Sequence, residues 1–156
     1  MRRFTIALTI LLALLAPAAA ETVLGSPEGW IVRPTDKPYA GLLTDLKAAV
    51  SAEKMGVVTE AGPTEVAAQR GETIPGNRVV GVFRNDFAVT IIRAAPAAMI
   101  EAPIRIMVME EPDGTATLAY KTPSAVFAPY DGGNTLAEAA ATLDGIFAAI
   151  VERAAD

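Results

Sequence analysis

The chain has no cysteine and no histidine among its 156 residues, and only 6% of them are aromatic. Each shortage removes chemistry. Without thiols there is no disulfide framework, no cysteine nucleophile and no thiol redox cycle. Without imidazole there is no Ser-His-Asp triad. A zinc site would need carboxylates alone, an unusual donor set for that metal. Any general base must be Asp, Glu, Lys or Tyr. Positive charge is also short: 13 Lys and Arg stand against 18 Asp and Glu, a formal net charge of -5. An acidic surface repels phosphate backbones and anionic headgroups. The composition therefore argues against nucleic-acid binding, and no cofactor is implied.

What is present starts at the N-terminus. Arg2-Arg3 precede an almost wholly apolar run from Phe4 to Leu15, and Pro17 leads into Ala18-Ala19-Ala20. Basic, apolar, then small is the order of a secretory signal peptide. The run is twelve residues, short of the ~20 that a spanning helix needs, so cleavage is expected rather than a retained anchor. The expected organisation is a cleaved signal peptide over 1–20 and a single domain over 21–156, starting at Glu21. The mature protein would be periplasmic or secreted, with no stable membrane anchor. No later segment reads as apolar enough to span a bilayer. Cleavage removes Arg2 and Arg3 but no acid, which takes the formal charge from -5 to about -7. About 136 residues remain, the size of one domain and enough to bury a real core.

Along that domain, Gly29 to Arg33 reads as a first strand. Thr35 to Pro38 carries helix-start signals, with Asp36 as a capping candidate, and a helix is expected from Tyr39 to Met55. Leu42, Leu43, Leu46, Ala49 and Val50 give it one apolar face, and Gly56 is placed to end it. Short strands follow at Val57–Thr59 and Arg78–Arg84, with a brief helix from Pro63 to Arg70 between them. Asn85-Asp86 offer a cap for a further helix or a continuing strand, broken at Pro96. Ile104–Glu110 and Thr115–Lys121 flank Pro112-Asp113-Gly114 and predict an antiparallel hairpin. Ser124 to Tyr130 is read as a loop or an edge. Thr135-Leu136-Ala137-Glu138 has the pattern of a capping box before a long final helix. The fold class is α+β: a single domain with a largely antiparallel mixed sheet and helices packed on it, in the order β-α-β-(α)-β-α-β-β-α.

Three segments carry a resemblance: "DKPYAGLLTDLKAAVSAEKMGVV", "NRVVGVFRNDFAVTIIRAAP" and "EAPIRIMVMEEPDGTATLAYKTPS". In these segments the chain resembles the bacterial domain-of-unknown-function 302 family. The resemblance implies a compact α+β domain, similar in outline to the TATA-binding-protein-like arrangement and often dimeric, with no established reaction. It also implies two cysteines that are missing here, because Arg84 and Ile104 stand in their places. A thiol role cannot be carried over.

Several groups of residues remain as candidates for chemistry. Met107 and Met109 lie two apart on one strand, so they share a face with Arg105 and Glu111. Thioethers suit Cu(I), although core packing is the weightier reading. Arg78 and Arg84 bracket a strand on one face and, with Arg105, would clamp an anion if that face were open. Glu110, Glu111 and Asp113 cluster at the hairpin and read as a solvated turn. Asp131-Gly132-Gly133-Asn134 lacks the lysine and spacing of a phosphate loop. Trp30, Tyr39, Tyr120, Phe127 and Tyr130 are candidates for pocket walls, and more readily for core or dimer contacts. The candidate ligand-binding residues are thus Arg84, Asn85, Arg105 and Tyr120, and the candidate metal ligands are Met107 and Met109. The expected function is binding of a small ligand or a protein partner by a non-enzymatic, homodimeric domain. The alternatives are a hydrolase using carboxylates and arginines on a small anionic substrate, or methionine-based copper handling.

Overall fold

A computed structural model describes residues 22–156. The expected signal peptide and the expected first mature residue, Glu21, lie outside the described residues. The elements are β1 (Trp30–Pro38), α1 (Tyr39–Ala52), β2 (Gly56–Ala61), α2 (Thr64–Gln69), β3 (Asn77–Phe83), α3 (Asn85–Ala94), a 3-10 helix (Pro96–Glu101), β4 (Ile104–Glu110), β5 (Thr115–Lys121), α4 (Pro123–Phe127) and α5 (Gly133–Ala155). The five strands form one sheet in the order β1-β5-β4-β3-β2. Every neighbouring pair is antiparallel, so the sheet has no parallel component.

Period-two alternation sorts the strand residues onto two faces. Val80 and Val82 of β3, Ile104, Ile106 and Val108 of β4, and Ala116, Leu118 and Tyr120 of β5 are buried together. Onto them pack Leu42, Leu46 and Val50 of α1, Ile91 of α3, and Leu136, Leu143, Phe147 and Ile150 of α5. The three- and four-residue spacing of these helical positions gives each helix one buried side. α5 is long and apolar enough to meet the length and composition of a membrane span, contrary to the sequence expectation. Eight of its residues are buried, which makes it the central core helix.

Several boundaries differ from expectation. β1 runs on to Pro38, through the segment expected to start a helix. It is an edge strand, where a proline's missing N–H costs little, and its register shifts between Thr35 and Pro38. Asp36 therefore caps nothing, and Pro38 precedes α1 with no side-chain cap. Past the end of α1, the left-handed residue is Lys54 at φ 58, while Gly56 already pairs with Phe83 in β2. α3 starts at Asn85 with Arg84 in the capping position and no side-chain cap. Ser124–Tyr130 is not an edge: α4 forms there, and the Thr122 hydroxyl accepts from the Ala125 amide. α5 begins at Gly133, two residues before the expected capping box, with Gly132 at its cap. Gly132 sits so close that an added Cβ would lie 2.8 Å from Leu136 Cδ2 and 3.2 Å from Ala95 Cβ. Packing against α3 sets that helix start, and Thr135 and Glu138 lie inside the helix.

Candidate ligand-binding cleft

Among the described residues, the opposite face of the sheet carries no helical layer. Its residues fall into rows across the strands. One row runs Trp30, Lys121, Arg105, Gly81, Thr59: Trp30 pairs with Lys121, Gly81 with Arg105, and Thr59 with Gly81. One step beyond the Ile106–Tyr120 pair, Arg105 stands opposite Lys121. The next row is apolar: Val32, Ala119, Met107, Val79, Ala61. A third row holds Pro34, Thr117, Met109 and Asn77.

At the first row, the 3-10 helix and α4 rise beside the sheet and form a cleft of about 870 Å³, counting space open to solvent. Val79, Met107 and Ala119 line its apolar floor, Trp30 and Val126 its sides, and Arg105, Lys121 and Glu101 are its charged groups. Glu101 accepts a hydrogen bond from the Tyr130 hydroxyl at 2.7 Å. That bond, then burial, raises the Tyr130 phenol above its ordinary range. An Arg105 Nη lies 4.0 Å from the other oxygen of Glu101.

The far end of this face is closed differently. Glu111 continues the Arg105-Met107-Met109 side and is 9% exposed. One of its oxygens accepts from the hydroxyls of Thr117 and Thr22, each at 2.5 Å. The other accepts from the Val23 amide at 3.1 Å. Burial pushes this carboxyl up, but the three donors outweigh it and hold it below its usual range. The acidic cluster expected to be a solvated turn therefore contains a buried anchor for the start of the described chain. Glu110 likewise accepts from the Gly76 amide at 2.6 Å.

The structure divides the candidate residues from the sequence among separate places. Arg105 and Met107 line the cleft. Met109 lies one row beyond, and its sulfur accepts from the Asn77 side-chain amide at 3.3 Å. Among the described residues, no group of three or more Asp and Glu is arranged to hold a metal ion. Tyr120 faces the helices, 3% exposed, with its ring centroid 5.6 Å from that of Phe147. Burial, and then the charges of Asp144 and Glu152, raise its phenol. Arg84 and Asn85 lie at the start of α3, across the sheet from Arg105. The Arg84 guanidinium stacks on Phe87, 4.4 Å from the ring centroid, and donates to Asp86 at 2.8 Å. That bond leads the effects that lower the Asp86 carboxyl. Arg78 is on the helix-covered face too, paired with Glu65. The three arginines therefore form no common clamp. Arg84 and Ile104, the two positions where the resemblance implies cysteine, do line one small apolar recess, together with Val82, Phe87 and Phe147.

Sequence reasoning did not identify Glu101 or Lys121. Lys121 was within reach: the hairpin pairing that joins β4 to β5 sets it opposite Arg105. Glu101 had no signal, because the 3-10 helix that carries it was read only as a break.

An antiparallel sheet layered with helices on one side, with a charged cleft on the other, defines an α+β domain. A family model described as "Domain of unknown function DUF302" matches residues 31–150, and the chain belongs to that family. The fold is similar to the crystal structure of the uncharacterized conserved protein DUF302 from Bacillus stearothermophilus. The TM-score is 0.70 at 17% identity, over 81% of this chain and 98% of that one. A search of curated proteins found no match.

Proposed function

We propose that the protein is an exported, non-enzymatic domain that binds a small ligand in the open-face cleft. The observation that carries this reading is the convergence of two cations and a tryptophan over an apolar floor. Concave, largely apolar sites with a few placed polar groups are where small ligands bind. Export rests on the basic, apolar, small order of residues 2–20. It is supported by the anchoring of Thr22 and Val23 on Glu111, which ties the start of the described chain to the domain immediately after the expected mature start. A thermal-shift screen of the mature chain across metals, lipids and small anions tests ligand binding. A screen in which nothing moves the melting point, while some substrate is turned over, refutes it.

A hydrolase is the second reading, because Glu101 does face Arg105 in a cleft. Against it, Glu101 is already held by Tyr130, and the described lining offers neither a hydroxyl nor a second carboxylate. Hydrolysis of a small anionic ester that is lost in Glu101→Gln would establish it. We also propose that the mature domain pairs with a second copy. Val89 and Ile92 of α3 and Ile100 of the adjoining 3-10 helix are exposed apolar side chains that such a contact would cover. Sedimentation equilibrium showing a monomer at all concentrations would reject the dimer.

A further inference from the structure

We infer that the cleft selects compact apolar monocarboxylates, a single carboxylate carried on an aromatic ring or a short acyl chain. This rests on the reading of the cleft as a ligand site and names its chemistry. The first argument is charge. The chain is acidic overall, with a formal net charge of -5, yet the cleft holds Arg105 and Lys121 against Glu101 alone. Among the described residues Lys121 forms no ion pair, and Glu101 is engaged by Tyr130 and Arg105. The site therefore has one surplus positive charge. One carboxylate balances it with charge-assisted hydrogen bonds. A dianion such as phosphate or succinate would place its second charge against Glu101, and like charges at close range in a partly desolvated site repel.

The second argument is shape. From the Arg105–Lys121 row the face continues to Met107, Ala119 and Val79, one row or about 7 Å further at ~3.4 Å per residue. The apolar stretch ends there. In the following row the Thr117 hydroxyl is buried on Glu111 and the Met109 sulfur is occupied by Asn77. Beyond it, Thr22 and Val23 are fastened across the end of the face. A ligand with its head at the cations has room for one short apolar body and meets polar, occupied groups past it. Trp30, 39% exposed, offers a flat wall to a ring, and the flexible Met107 side chain can adapt to a chain.

Trp30 is the only tryptophan in the chain and lines the cleft, so its emission reports on this site alone. The experiment titrates the mature protein with phenylacetate and hexanoate, and with succinate, phenylacetamide and phenethylamine as charge controls. The expected result is a saturable emission change with the two monocarboxylates. Arg105→Gln and Lys121→Gln, both at exposed positions, should each weaken it about tenfold, which is about 1.4 kcal/mol. Equal response to the amide or the amine, tighter binding of succinate, or indifference to both substitutions overturns the inference while leaving a ligand site standing. No emission change or thermal shift with any compound of any charge removes the ligand-site reading itself.

Discussion

Replacing Glu111 by Gln should destabilise the domain at neutral pH and should matter less in acid. The wild-type carboxylate takes three hydrogen bonds in a site that is 9% exposed. A carboxamide has one accepting oxygen. If that oxygen faces Thr22 and Thr117, the amide nitrogen meets the Val23 N–H, donor against donor. If the group is turned round, the two hydroxyls must reverse, and that of Thr22 already accepts from the Leu24 amide at 3.2 Å. At least one charge-assisted bond is lost either way, at roughly 1.5–3 kcal/mol. Part is returned because the neutral side chain no longer suffers desolvation as a charge, leaving about 1–2 kcal/mol. The pH dependence follows from the sign of the shift. A carboxyl held below its ordinary value contributes stability that is fully present above the unfolded value, near ~4.3, and lost as the pH falls through the folded one. The gap between the two proteins should therefore be full at pH 7 and narrow as the pH falls below ~4.3. Asp113, whose charge opposes ionisation of Glu111, repels it only in the wild type, and that repulsion is already part of the net downward shift. Urea unfolding followed by Trp30 emission measures both stabilities on one scale. A gap below about 0.5 kcal/mol at pH 7, or one of equal size at pH 3, would refute the anchoring role and the sign argument respectively.

Phe147→Ala empties a fully buried position beside Tyr120 and should cost about 3–5 kcal/mol by denaturant unfolding. A much smaller loss would mean that the neighbours collapse into the space. Gly81→Ala places a Cβ against the Thr59 hydroxyl and 2.7 Å from Pro103 Cγ, so overpacking should cost about 1–3 kcal/mol. Thr59→Ala in the same chain should recover part of that, and strict additivity in the double-mutant cycle would place the strain elsewhere. Because the Met109 sulfur is occupied, the mature protein should hold Cu(I) no more tightly than Met107→Leu/Met109→Leu in a competitive chelator titration. Tighter binding by the wild type would restore copper handling.

Much of the fold could be read from local pattern because local pattern and burial agree there. α1 keeps Leu42, Leu46, Ala49 and Val50 on one side, and the structure buries all four. The β4–β5 hairpin is fixed by its alternation and by Gly114, which adopts φ 85 in the turn. The misread stretches are those where tertiary position overrides local signals. Pro34 and Pro38 argue against a strand anywhere except at an edge, and only the assembled sheet shows β1 to be one. Gly56 looks like a helix stop until its pairing with Phe83 claims it for β2, after which Lys54 must take the left-handed position. α4 could have been found from Thr122-Pro123, a capping residue followed by the proline that suits a first turn, had the aromatic run after it not suggested an edge.

The candidate site was legible only in part, for a different reason. Strand alternation states which residues share a face but not which face the helices cover. Arg78, Val80, Val82 and Arg84 form a correct set, and so do Arg105, Met107 and Met109. The first set turns out to lie under α1, α3 and α5, and the second on the uncovered side. Grouping the arginines across the two sets was therefore an error of layer, not of periodicity. The valines could have prevented it. A strand face offering Val80 and Val82 between its charged ends is the one a helix will bury, at about 25 cal/mol per Å² of apolar surface. The face bearing Gly81 has Val79 and Met107 beside it, but its apolar surface is interrupted at Gly81 and Arg105, and it is left for solvent or ligand. With that choice made, hairpin register adds Lys121 to Arg105, and Trp30 follows from its pairing with Lys121.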